Sequence, residues 1–85
     1  MRRIIFEGDA LEQFMYWVNG DKKIATKIHT LLKDIDRNGA AKGFGKPERL
    51  RYGDGWSRRI TEEHRLVYEV DDKNIYVHNC KGHYK

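Results

Sequence analysis

The chain has 85 residues and a formal net charge of +4, enough for one domain (residues 1–85) and no second. Hydrophobic residues make up 39%, charged residues 35% and aromatic residues 12%, a polar composition that still folds and so excludes a disordered chain. The apolar run Ile4–Phe6 is cut short by Glu7 and Asp9, and no stretch reaches the roughly 18 apolar residues of a membrane span, so neither a signal peptide nor a transmembrane segment is expected. Cys80 is the single cysteine, which rules out an internal disulfide and a cysteine metal site and fits a reducing cytoplasm.

In chain order, RIIF (3–6) reads as a short strand. Asp9 followed by Glu12 predicts a capping box opening a first helix, whose apolar stripe is Leu11, Phe14, Met15 and Val18. Asn19-Gly20 predicts its end. Asp21 can cap a second helix with the stripe Ile24, Ile28, Leu31, Leu32 and Ile35, ended by Asn38-Gly39. A connection of two or three residues would make the two helices a hairpin. The loop GAAKGFGKP (39–47) carries three glycines and a proline. Four strands then follow: ERLRY (48–52), WSRRI (56–60), HRLVYEV (64–70) and IYVHNC (75–80), separated by short polar turns. The order βααββββ predicts an α+β fold, with two N-terminal helices covering one face of a mainly antiparallel sheet.

The other sheet face is free to be polar. Arg65 alternates with Leu66 and Tyr68, so it belongs on that open face, and a three-residue turn at 61–63 would set Arg59 opposite it. Glu48 shares a face with Leu50, which strict alternation assigns to the core side. Trp17, Trp56 and Tyr68 read as core or interface aromatics, and His29, His64 and His78 as structural residues.

Residues 46–59 hold five basic side chains against two acidic ones, with Tyr52 and Trp56 between them. Such a cluster suits a polyanion, although a solvated strand face explains it equally well. The four histidines show no ligand spacing with carboxylates, so neither metal nor other cofactor is expected. What remains suits metal-free RNA cleavage. There the ribose 2′-OH attacks the adjacent phosphate, which needs a base, an acid for the leaving 5′-oxygen, and cations for the charge on phosphorus. Glu48 is a carboxylate beside the basic cluster, Arg65 a permanent cation with a planar fork, and His83 an imidazole suited to an acid at neutral pH. Residue types alone leave open whether the three meet.

WSRRITEEHRLVY (56–68), GKPERL (45–50) before it and the closing pair His83-Tyr84 resemble the YoeB-type toxins of the RelE/ParE superfamily of bacterial toxin–antitoxin systems. Tyr16-Trp17 and the pattern from Asp21 to Ile28 agree, so the likeness spans essentially the whole chain. The resemblance implies a RelE-like microbial RNase fold. It also implies a ribosome-dependent endoribonuclease, an mRNA interferase that cuts mRNA in the ribosomal A site and so inhibits translation. Carried over residue by residue, it implies Glu48 as general base, Arg65 as transition-state clamp, His83 as general acid, Tyr84 stacking on or orienting the substrate and Arg51 at a basic substrate-side position; Lys46 and Arg59, from the basic cluster itself, join them as expected RNA contacts. Arg51 stands where the family pattern has lysine, the stretch from there to Trp56 is shorter, and Lys85 follows the final tyrosine.

The same resemblance implies a YefM-like antitoxin with an acidic, flexible tail that inhibits the toxin and with it binds promoter DNA. Self-association as a homodimer is compatible with it. Two other readings stay open here. One is a non-catalytic ParE-like inhibitor of DNA gyrase, which would not need the Glu48, Arg65, His83 set. The other is a plain RNA-binding module.

Overall fold

The computed structural model describes residues 1–82, in the order β1 (Arg3–Phe6), α1 (Ala10–Gly20), α2 (Lys22–Asn38), β2 (Glu48–Arg49), β3 (Trp56–Arg59), β4 (Arg65–Val70) and β5 (Asn74–Asn79). The expected α+β fold and element order are observed. One five-stranded sheet runs β1-β5-β4-β3-β2. β2 to β5 form the expected antiparallel meander. β1 joins β5 in parallel, because the two helices carry the chain across the sheet before β2 begins.

The first helix departs from its sequence pattern. The residues of α1 that enter the core are Ala10 and Trp17, with Phe14 packed against them, while Leu11 and Met15 are exposed. Periodicity alone could not choose between the two overlapping stripes; the Trp17 indole chooses, donating to the Cys80 carbonyl at 2.9 Å. The capping box is absent. Asp9 precedes α1, but its backbone (φ −85°, ψ 3°) is already close to helical, and its side chain makes no cap hydrogen bond. The helix ends at Gly20 as expected, but Gly20 is its last helical residue and has no positive φ, so it does not act as a left-handed cap. Asp21 alone joins the helices, in an extended conformation (φ −152°) from which its Oδ1 accepts from the Lys23 and Ile24 amides.

In α2 the expected stripe is buried, from Ile28 to Ile35, and Gly39 ends the helix at φ +85°. Asp34 is buried beside that stripe, which its charge did not suggest. Its partner is Arg58, also fully buried, on the core face of β3 with Leu66 and Tyr68. Arg58 Nη1 donates to Asp34 Oδ2 and to the Phe44 carbonyl (3.1 Å), and Nη2 to the Gly39 (3.0 Å) and Lys42 (2.6 Å) carbonyls. Nε donates to the Tyr68 hydroxyl at 2.9 Å, which in turn donates to the Ala40 carbonyl at 2.6 Å. Thus one guanidinium ties α2, β4 and the 39–45 loop together. At Gly43 (φ +122°) a Cβ would lie 1.7 Å from Asp34 Oδ2, so only glycine passes there.

Burial alone pushes the Asp34 carboxyl up. The hydrogen bonds from Arg58, the Phe44 amide and Asn38, with the Arg58 charge, outweigh it and hold the group below the ordinary carboxylate range. Burial raises the Tyr68 phenol above its usual value. Asp34→Asn, which leaves the Arg58 charge buried and uncompensated, is expected to cost about 3–5 kcal/mol at neutral pH in urea unfolding. The folded-state pKa is depressed, so the Asp34 contribution is complete above the unfolded carboxyl pKa of about 4 and is lost as pH falls through the lower folded value. The gap between wild type and variant should therefore narrow in acid.

Candidate active site

Register places the candidate residues on the open face. Glu48 pairs with Ser57, Ser57 with Val67, and Arg59 with Arg65. Paired residues share a face, so Glu48, Ser57, Arg59 and Arg65 lie on one side, opposite the core residues Arg58, Leu66 and Tyr68. The expectation that Arg65 faces away from the helices and stands opposite Arg59 is met. The expectation for Glu48 needs correction. It does share a face with Leu50, but that face is the open one, where Leu50 lines a shallow groove with Val67, Glu69 and His78. β2 is only two residues long, because the chain already turns back through Gly53 (φ +79°) after a single further bond from the Leu50 amide to the Gly55 carbonyl.

Arg65 Nη2 donates to Glu48 Oε2 at 3.4 Å, and Nε donates to Ser57 Oγ at 3.1 Å. The Arg65 side chain is 13% exposed and Glu48 69%, so the guanidinium is held from below while the carboxylate meets solvent. Ser57 was not singled out from the sequence, although its alternation with Arg59 carries the signal. Two arginines directly opposite on one sheet face repel one another, a destabilising placement relieved by an anion between them.

The basic cluster of residues 46–59 divides by role. Arg58 is buried. Arg49 stacks over Trp56 at 5.5 Å and pairs with Asp54 at 3.6 Å. Lys46, Arg51 and Arg59 are left exposed. Lys46 adopts φ +53°, the one non-glycine residue with positive φ among the described residues, a conformation costing roughly 1–3 kcal/mol for a residue with a side chain. It leads through Pro47 to Glu48, so the backbone strain sits at the candidate site. His83 and Tyr84 lie outside the described residues, as does Lys85.

The remaining histidines are accounted for structurally. His29 is exposed on α2. His78 is the extra residue of a bulge in β5 and meets Glu69 at 2.6 Å. His64 packs edge-on against Trp17, with ring centroids 4.7 Å apart. Burial pushes the Cys80 thiol up to about 11, so it is not a nucleophile at neutral pH. Among the described residues no three His, Cys, Asp or Glu side chains cluster as a metal site would require, and no helix is long and apolar enough to cross a membrane.

An open cationic face with a carboxylate beside a guanidinium can grip a phosphodiester and accept a proton from a neighbouring hydroxyl. Comparison with known proteins gives this surface its context. The family model of the YoeB-like toxin of bacterial type II toxin–antitoxin systems matches residues 6–84. Toxin YoeB of Escherichia coli K12 is 43% identical over 84 residues, covering 96% of this chain and 99% of that protein. The solved YoeB dimer of Staphylococcus aureus superposes with a TM-score of 0.93 at 52% identity, covering 98% of each chain. The YoeB chain of the heterotetrameric YoeB–YefM complex from the same species gives 0.92 at 50% identity, covering 99% of each. By sequence over nearly its whole length and by fold, the chain belongs to the YoeB-like toxins of bacterial type II toxin–antitoxin systems.

Proposed function

We propose that this toxin is a ribosome-dependent endoribonuclease that cuts mRNA in the ribosomal A site without a catalytic metal, acting in the cytoplasm to stop translation. The observation that carries this reading is the contact of Glu48 with Arg65 on an open, cationic sheet face. A gyrase inhibitor or a plain RNA-binding module would have no need of that carboxylate. Glu48 takes the proton from the 2′-OH, whose oxygen attacks the adjacent phosphorus. Arg65, backed by Ser57, binds the phosphate oxygens as they gain charge. His83 returns a proton to the leaving 5′-oxygen, and a 2′,3′-cyclic phosphate remains. Arg59 opposite Arg65, with Lys46 and Arg51, steers the RNA backbone, and Tyr84 orients the substrate.

The partner reading follows from the relatives. The S. aureus relative forms a dimer and a heterotetramer with YefM, so a YefM-like antitoxin and a homodimer are proposed for this chain too. Leu11, Met15 and Tyr16, all exposed on α1, offer apolar surface to such a partner, and the net charge of +4 favours an acidic tail. The antitoxin complex would bind its own promoter DNA.

Mapping mRNA 5′ ends with and without ribosomes tests the reading. Cleavage is expected only with ribosomes, and its absence there would sink the proposal. Glu48→Gln and Arg65→Ala should each slow single-turnover cleavage by about 100-fold or more while ribosome binding changes little. The Glu48 carboxylate faces solvent, so Glu48→Gln should shift urea stability by less than about 1 kcal/mol. Removal of residues 83–85 should abolish cleavage and leave the far-ultraviolet circular dichroism unchanged.

A further inference from the structure

The segment after β5 is held more firmly than a strand needs. The Cys80 amide donates to Gln13 Oε1 at 2.7 Å, and the Cys80 carbonyl accepts from the Trp17 indole. Asn79 Nδ2 donates to the Lys81 carbonyl at 3.1 Å. Gly82 is bound at both its backbone polar groups, its amide donating to His64 Nδ1 at 2.8 Å and its carbonyl accepting from the Arg65 amide at 3.1 Å. The two bonds to Gly82 come from the neighbouring residues His64 and Arg65 and hold it beside the clamp, and the next residue in sequence is His83.

We infer that His64 is a positioning residue whose Nδ1, by accepting from the Gly82 amide, fixes the point beside Arg65 from which the chain continues to His83. This rests on the reading of His83 as the general acid. The imidazole is built for the task. Its backbone is fixed by the Thr61 hydroxyl, which accepts from the His64 amide at 3.1 Å, and by the bonds of the Ile60 and Thr61 amides to the His64 carbonyl. Its ring is fixed edge-on to Trp17. An Nδ1 that accepts from an N–H requires the neutral tautomer with its proton on Nε2. Gly82 supplies the other half. At φ +87° it turns the chain in a direction that side-chain-bearing residues rarely take, and a Cβ built there meets nothing among the described residues within 4 Å, so its role is conformational rather than steric. His64, just before β4, and Arg65, its first residue, thus hold Gly82 together, which couples the phosphate clamp to the point from which the chain continues to His83.

His64→Phe keeps a ring against Trp17 and removes the acceptor; His64→Asn restores an acceptor close to the place of Nδ1. In the free, full-length protein, amide exchange of Gly82 followed by nuclear magnetic resonance should speed up about tenfold in His64→Phe and return towards wild type in His64→Asn. Single-turnover cleavage on ribosomes should fall about tenfold in His64→Phe and recover in His64→Asn, with ribosome affinity unchanged in both. Should His64→Phe fail to fold, Gly82→Ala strains the same anchor from its other side, outside the core, and should lower the cleavage rate in the same way. Unchanged Gly82 exchange in His64→Phe would overturn the inference, as would lost protection with full cleavage. Full cleavage by His83→Ala would instead remove the acid reading, and is told apart because Gly82 exchange is read without RNA.

Discussion

Everything on the open face depends on a cation that never reaches it. Arg58 lies in the core, and its guanidinium bonds Asp34 of α2, the Tyr68 hydroxyl of β4 and the carbonyls of Gly39, Lys42 and Phe44. A buried charge is tolerable only when its donors find partners, and here the partners come from three separate parts of the chain. A hydrophobic residue could fill the volume of Arg58. It could not hold three loop carbonyls at once, and that loop leads through Lys46 and Pro47 to Glu48. The buried network therefore fixes the path of the segment that delivers the carboxylate.

Arg58 and Arg59 are neighbours in sequence and opposites in role, because successive strand residues point to opposite faces. One meets Asp34 in the core; the other meets Arg65 across the open face. Glu48 on one edge strand and Ser57 beneath steady Arg65, and the nearby backbone holds Lys46 in an unfavourable conformation. Opposed like charges and strained backbone both cost stability, and both concentrate where an RNA backbone would bind.

The sequence was a good guide where one period dominated. The α2 stripe, the meander and the face of Arg65 were all legible, because alternation and helical spacing each gave a single answer. It was a poor guide where two patterns overlapped or where a side chain acted far along the chain. Leu11 and Met15 read as core at helical spacing, but the Trp17 indole and its bond to Cys80 turned α1 the other way. Alternation with the apolar Leu50 puts Glu48 on the core side, yet β2 is a two-residue edge strand and Leu50, just beyond it, lines a groove on the open face. Asp34 carried no local signal of its role, since it is defined by an arginine 24 positions away, and Ser57 carried only its alternation with Arg59, its partner Arg65 lying 8 positions on. The resemblance to the toxin family supplied names for the site residues, and register explains how Glu48 comes to touch Arg65.

The parallel pairing of β1 with β5 has a consequence for biosynthesis. β5 is the last strand in sequence but lies inside the sheet, between β1 and β4. A chain emerging from the ribosome can form its helices and the β2–β4 hairpins early. It cannot seat β1 or bury Ile75 and Val77 until residue 79 has left the exit tunnel. The sheet that presents Glu48 and Arg65 is thus closed only when β5 arrives, after the other four strands have been made.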